Sequence, residues 1–190
     1  INEKSYFVKQ DARTQINFNA IAQGYTVDLI AGFLENKNIE NYLVELGGEI
    51  RAKGKNLSNN FDWLVAIDNP QAAENRSFIA TLKLKNMSLA TSGNYRKFII
   101  DTVTGEKYVH TINPKTGYPK KSNVLSASVI AADCMTADGY ATVLMAMDLD
   151  KSKVLLDSLA DTLDAFIIYL DGNNNIKKYI TPGFSNYLIE

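Results

Sequence analysis

The stretch TADGYATVLMAM, residues 136–147, sets a carboxylate and a hydroxyl, Asp138 and Thr142, four residues apart. On a helix that spacing puts both side chains on one face. Their neighbours, Ala137, Ala141, Val143, Leu144 and Met145, are apolar, so the face reads as buried. A buried carboxylate is costly unless it is protonated, paired or bound to a cation. A divalent cation is one resolution, and carboxylate and hydroxyl oxygens suit Mg²⁺ or Ca²⁺ rather than zinc. Hydrogen bonds from backbone amides, or an ion pair with a lysine, are the other, and structural pairs of that kind are common. The second chemical candidate is His110, the only histidine of the chain, in KYVHTINPKTGYPKK (residues 107–121). An imidazole with an ordinary pKa of about 6.5 can accept a proton at neutral pH. Alone, with no visible partner, it is as readily a packing residue.

Three glycine-bearing turns accompany these residues: Gly47-Gly48, Ser92-Gly93-Asn94, and Gly117 after Pro114. Such turns let backbone N–H groups approach an anion, although ordinary turn chemistry explains each one taken singly. Several familiar catalytic signatures are absent from the sequence. It contains no G-x-x-x-x-G-K-[ST], no G-x-G-x-x-G, no G-x-S-x-G and no H-E-x-x-H. The pair SGN (92–94) and KTG (115–117) echoes penicillin-recognising acyl transferases, but no serine stands three residues before a lysine as their nucleophile requires.

These residues need a scaffold, and 190 residues at 46% apolar content suffice for one domain with a sizeable core. Twenty basic side chains against 21 acidic ones leave a net charge of −1, which argues against nucleic acid or an anionic membrane surface as a partner. The single cysteine, Cys134, excludes an internal disulfide and a cysteine zinc cluster, and reads as a small buried apolar residue. No apolar run approaches the length of a membrane helix. The chain opens INEKSYFVKQ without an initiator Met, and reads as cut from a longer precursor.

Alternation predicts strands within residues 5–18, on either side of Gly47-Gly48, at 61–70, 76–85 and 107–112, on both sides of the SGN turn, and at 123–132, 164–170 and 176–180. Helical periodicity predicts a helix after Asn19 as N-cap, with Ile21, Tyr25, Val27, Leu29, Ile30, Phe33 and Leu34 as its apolar face. Further helices are expected from Asp133 and over 149–159. Strands outnumber helices and follow one another directly. The expected class is α+β, with mixed, largely antiparallel sheets, a few packed helices, and residues 1–190 as a single domain.

Five segments, taken in order, resemble one family. NAIAQGYTVD (19–28), YLVELGGEI (42–50), LATSGNYRKF (89–98), YVHTINPKTGYP (108–119) and ADCMTADGYAT (132–142) are similar to the motifs of ApbE-type flavin transferases, at family-like spacing. The similarity runs from about Tyr6 to Leu170 and corresponds to the C-terminal part of a full-length member. The family's N-terminal part, which contributes to the flavin site, is absent from it.

The resemblance implies Mg²⁺-dependent cleavage of FAD, transfer of FMN through a phosphoester to a threonine or serine of a target flavoprotein, and release of AMP. It implies Asp138 and Thr142 as metal side chains, with the backbone carbonyl of Ala20 as a third donor. Asn17, Gln23, Thr91, Ser92, Gly93 and Ile112 match positions at or near the flavin nucleotide, and His110 matches the family's histidine, the candidate base. It further implies an exported protein on the periplasmic side of the bacterial inner membrane, held there by a lipid anchor on the precursor and acting on a subunit of a membrane redox complex. Two alternatives share the site: an FAD pyrophosphatase yielding FMN and AMP, and a non-catalytic flavin-binding lipoprotein domain. The chain departs from common family residues at Asn17, Asn19, Gln23 and Asn113, which puts individual flavin contacts in question.

Overall fold

The structure, a computed structural model, describes residues 6–69, 77–93, 98–100, 107–109, 117 and 123–189. In chain order the elements are helix α1 (Ala22–Glu35), strands β1 (Tyr42–Leu46), β2 (Glu49–Lys53), β3 (Trp63–Asp68), β4 (Phe78–Leu84), β5 (Met87–Gly93), β6 (Phe98–Ile100), β7 (Lys107–Val109) and β8 (Val124–Ala131), helices α2 (Cys134–Ala146) and α3 (Leu149–Ser158), and strands β9 (Leu163–Leu170) and β10 (Ile176–Ile180). A short 3-10 turn, Phe184–Tyr187, follows. Six strands form one sheet in the order β1-β2-β5-β8-β9-β10, with every neighbouring pair antiparallel. β3 pairs with β4, and β6 with β7, as separate two-stranded ribbons. The α+β expectation holds.

Strand β8 is buried on both faces, one wholly apolar and the other carrying Ser126 and Ser128 beside Ile130. Ala127, Val129 and Ala131 meet Ala137, Ala141, Leu144 and Met145 of α2 and Leu156 of α3. Ile130, pointing the other way, joins Val65, Ile67, Leu82 and Leu84 of the β3–β4 ribbon with Phe166, Ile168 and Phe184. The Phe166 and Phe184 rings meet tilted at 45° with centroids 5.6 Å apart, a favoured aromatic geometry. The sheet is thus a middle layer, with helices on one side and a ribbon on the other. Small residues on the helical side let α2 lie close to the sheet, which fixes where Asp138 and Thr142 stand.

Three expectations about the first forty residues require correction. Residues 6–18 form no strand; Tyr6, Phe7 and Val8 are exposed, and no described strand pairs with their backbone. Asn19 does not cap α1. The amides of Ile21 and Ala22 instead bond the Phe18 carbonyl, and the Asn17 side chain takes the Asn19 N–H at 2.7 Å. The buried stripe of α1 is Gly24, Val27 and Ala31, while Tyr25, Leu29, Ile30 and Phe33 face outward. Close approach to α2 explains this choice: a Cβ on Gly24 would meet the carbonyl oxygen of Cys134, with that carbonyl's carbon at 2.7 Å and the Cβ of Asp138 at 2.8 Å. Only small side chains fit that seam.

Candidate functional site

A cleft of about 1630 Å³ opens where the N-terminal end of α1, the β1–β2 turn, β5, α2 and the β3–β4 ribbon converge. Asn17, Ala20 and Gln23 line it from the start of α1, Thr91, Ser92 and Gly93 from β5, and Asp138 and Thr142 from α2. Eight residues scattered over 126 positions of sequence are therefore gathered around one space. His110 and Ile112, and with them Asn113, lie outside the described residues.

Asp138 and Thr142 share a face of α2, as their spacing predicts. Asp138 is only 5% exposed, and its Oδ2 accepts the backbone N–H of Gly24 at 3.0 Å. Backbone amide donation, one of the two resolutions open to a buried carboxylate, is thus present at one of its oxygens. Burial nevertheless raises its pKa, with the Gly24 amide opposing the rise. The Thr142 hydroxyl lies 3.3 Å from that of Ser92. Thr91, one pleat along, turns to the opposite face of the sheet and places its hydroxyl 2.8 Å from Ser128.

The N-terminus of α2 is held from two sides. Its own N-cap, Asp133, accepts the Thr136 amide at 2.8 Å. Asp28 of α1 accepts the amides of Cys134 (2.9 Å) and Met135 (2.8 Å), two donors that a helix start leaves without intrahelical partners. Asp28 also receives Arg51 at 2.7 Å, and the same guanidinium lies 3.7 Å from Glu35. Cys134, within this seam, is fully buried, and burial pushes its thiol well above the ordinary range, which suits packing and not nucleophilic chemistry.

The β1–β2 turn adds a residue that sequence reasoning missed. Gly47 (φ +67°) and Gly48 (φ +112°) form a two-residue loop with both residues at positive φ, closed by the pair Leu46–Glu49. The positive φ at position 47 favours glycine, and a Cβ there would meet the mobile end of the Gln23 side chain. Glu49, the first residue of β2, lines the cleft while only 6% exposed. Its Oε2 has no hydrogen-bond partner. Burial and then the neighbouring charge of Asp138 push its carboxyl up to about 7, with its own backbone amide opposing and Glu45 adding further repulsion. In the sequence EIRAK, Glu49 alternates like a solvated strand residue. The signal that could have singled it out is its position one step after a Gly-Gly hairpin loop.

The three donors that the resemblance nominates for a metal, the Asp138 carboxylate, the Thr142 hydroxyl and the Ala20 carbonyl, are all oxygens, and their residues all line the cleft. No group of three or more His, Cys, Asp or Glu side chains that could hold a metal forms among the described residues. An ion of the Mg²⁺ type does not need one, because it keeps several waters and takes substrate phosphates as ligands. The residues present fit such a cation.

Comparison with known proteins follows the same lines. The chain is 37% identical over 176 residues to the FAD:protein FMN transferase of Haemophilus influenzae, an alignment covering 93% of this chain and 49% of that one. It is 29% identical to the Escherichia coli protein of the same name, over 99% of this chain and 52% of that one. Among solved structures, the flavin transferase ApbE of Vibrio cholerae superposes with a TM-score of 0.75 at 34% identity, over 89% of this chain and 51% of that one. The ApbE protein of Thermotoga maritima gives a TM-score of 0.76 at 28% identity, over 93% of this chain and 54% of that one. The chain therefore spans about half the length of the curated relatives it matches. With residues 1–167 matching the ApbE family and the fold shared by its solved members, this chain belongs to that family.

Proposed function

We propose that this chain carries the catalytic part of an FAD:protein FMN transferase. The observation that supports the reading most is the single cleft in which Asp138, Thr142, Ser92, Ala20 and Gln23 meet. Relatives bearing that name share 29–37% identity with nearly the whole chain.

In this reading FAD lies along the cleft, its nucleotide near Asn17, Gln23 and the Thr91–Gly93 strand end, with Ile112 a further flavin contact. Mg²⁺ held by Asp138, Thr142 and the Ala20 carbonyl would neutralise charge on the pyrophosphate. His110 accepts the proton of an acceptor threonine or serine hydroxyl. The freed oxygen attacks the phosphorus on the FMN side, the bond from that phosphorus to the bridging oxygen breaks, and AMP leaves with the bridging oxygen. The acceptor is a flavoprotein subunit of a membrane redox complex, and the reaction takes place on the periplasmic side of the inner membrane. For those last two assignments the family resemblance is the sole support.

The test is incubation with FAD, Mg²⁺ and a threonine-bearing acceptor domain. Flavin fluorescence should stay on the acceptor through denaturing electrophoresis, with one AMP released per flavin attached. FMN and AMP without labelled acceptor would identify a pyrophosphatase instead, and unchanged FAD would leave a binding domain. Asp138→Ala should lower the metal-dependent rate by about 10²-fold or more, the scale of losing a charge-stabilising group at a reacting centre. A variant as fast as the parent would refute the metal assignment.

A further inference from the structure

The β1–β2 hairpin and α2 bring two carboxylates, Glu49 and Asp138, to the wall of one cleft, although no described cation answers the first of them. Glu49 is 6% exposed and its Oε2 is unpartnered, so one oxygen of a buried, charge-bearing group is left with no hydrogen bond. Such a group is costly unless something supplies the missing partner. The natural candidate within the fold is Arg51, two residues along β2 and on the same face. That guanidinium is already engaged, at 2.7 Å from Asp28 and 3.7 Å from Glu35.

The hairpin also fixes where Glu49 stands. The two positive-φ glycines set the register that makes it the first residue of β2, and its Oε2 comes to 3.5 Å of the point where a Gly47 Cβ would be. Asp138, facing the same cleft, spends one oxygen on the Gly24 amide. One carboxylate balances half the charge of a divalent ion, and two balance it fully. An ion beside both would offset the like-charge repulsion that Asp138 exerts on Glu49 in this buried setting.

We propose that Glu49, which lines the same cleft as Asp138, is the second carboxylate of the cation site and sets the affinity for a divalent metal. This rests on the assignment of Asp138 as a metal side chain given above. Glu49 holds the ion in place for the chemistry and does not itself exchange a proton with substrate.

The test is metal binding by the whole chain without FAD, with Mg²⁺ followed calorimetrically and Mn²⁺ by electron paramagnetic resonance. Glu49→Gln, nearly the same shape without the charge, should weaken Mn²⁺ binding by about tenfold or more, the range seen when groups supporting a metal site are removed. In the metal-free state the same variant should melt at a higher temperature than the parent, because an uncompensated buried charge is gone. Glu49→Asp, keeping the charge on a shorter arm, should recover part of the lost affinity, and it serves as the second variant should Glu49→Gln fail to fold. Asp138→Ala is the control. Loss of binding in Asp138→Ala alongside parental affinity in Glu49→Gln, or in Glu49→Asp and Glu49→Ala alike, would overturn the role of Glu49 and leave the cation site standing. Parental affinity in Asp138→Ala would overturn both.

Discussion

Glu49 gives the metal-free protein a pH dependence of definite sign. Its carboxyl is raised from 4.5 to about 7 in the folded chain by burial, by Asp138 and by Glu45, so the folded state binds this proton more tightly than the unfolded one. Stability is therefore highest below pH 4.5 as far as this group is concerned, and falls as pH rises towards 7, by up to roughly 3 kcal/mol. Asp138, shifted in the same direction, adds to the slope. Urea melts of metal-free protein across that range should show the decline, and Glu49→Gln should flatten it; a profile equal to the parent's would count against a buried Glu49. A separate expectation concerns His110. His110→Ala should slow flavin transfer by about 10²–10⁴-fold, the usual contribution of a general base, while FAD affinity changes far less. Equal losses in rate and affinity would assign His110 to binding. The shared face of Asp138 and Thr142 was legible in their spacing, whereas their nomination for a metal came from the family resemblance, because amide donation or an ion pair also explains a buried carboxylate. Glu49 was not legible, since alternation along EIRAK looks the same whether its polar face meets water or, as here, lies under two helices.

Elements tell a similar story. β8, α2 and α3 were readable within a residue or so of their ends, because length, apolar content and Asp133 as N-cap all agree. α1 was readable as a helix but not as a packed one: its bulkiest apolar residues face outward, and the buried seam runs through Gly24, Val27 and Ala31. Periodicity records where apolar residues are, and a seam selected for smallness leaves little trace in it. The seam yields a prediction whose sign opposes helix propensity. Gly to Ala inside an exposed helix ordinarily stabilises by about 1 kcal/mol. Gly24→Ala should instead destabilise by roughly 1–3 kcal/mol, because its Cβ would press on backbone and on Asp138 rather than on a flexible side-chain end. Thermal or denaturant unfolding measures it, and a stabilised variant would mean the helices can part at little cost.

At the level of the whole molecule, the six-stranded sheet carries a helical layer and a ribbon layer, and the cleft opens at the end where both layers and the β1–β2 turn meet. Gathering residues 17 to 142 around one space is a property of strand order, in which β2 and β5 are neighbours although the β3–β4 ribbon separates them in sequence. No local pattern announces that neighbourhood. The sheet order, the antiparallel class and the positions of single helices are different kinds of information, and motif order along the chain carried what periodicity could not. The junction between α1 and α2 has a dynamic corollary. Gly24 donates to a side chain of α2, while Cys134 and Met135 donate to a side chain of α1. None of these three amides can reach solvent deuterium by fraying of its own helix alone, since each is latched by the other helix. Native-state hydrogen exchange should therefore report one shared opening free energy for all three, and Asp28→Asn should speed exchange at Gly24 as well as at Cys134 and Met135. Unequal opening energies in the parent would show two independent latches in place of one.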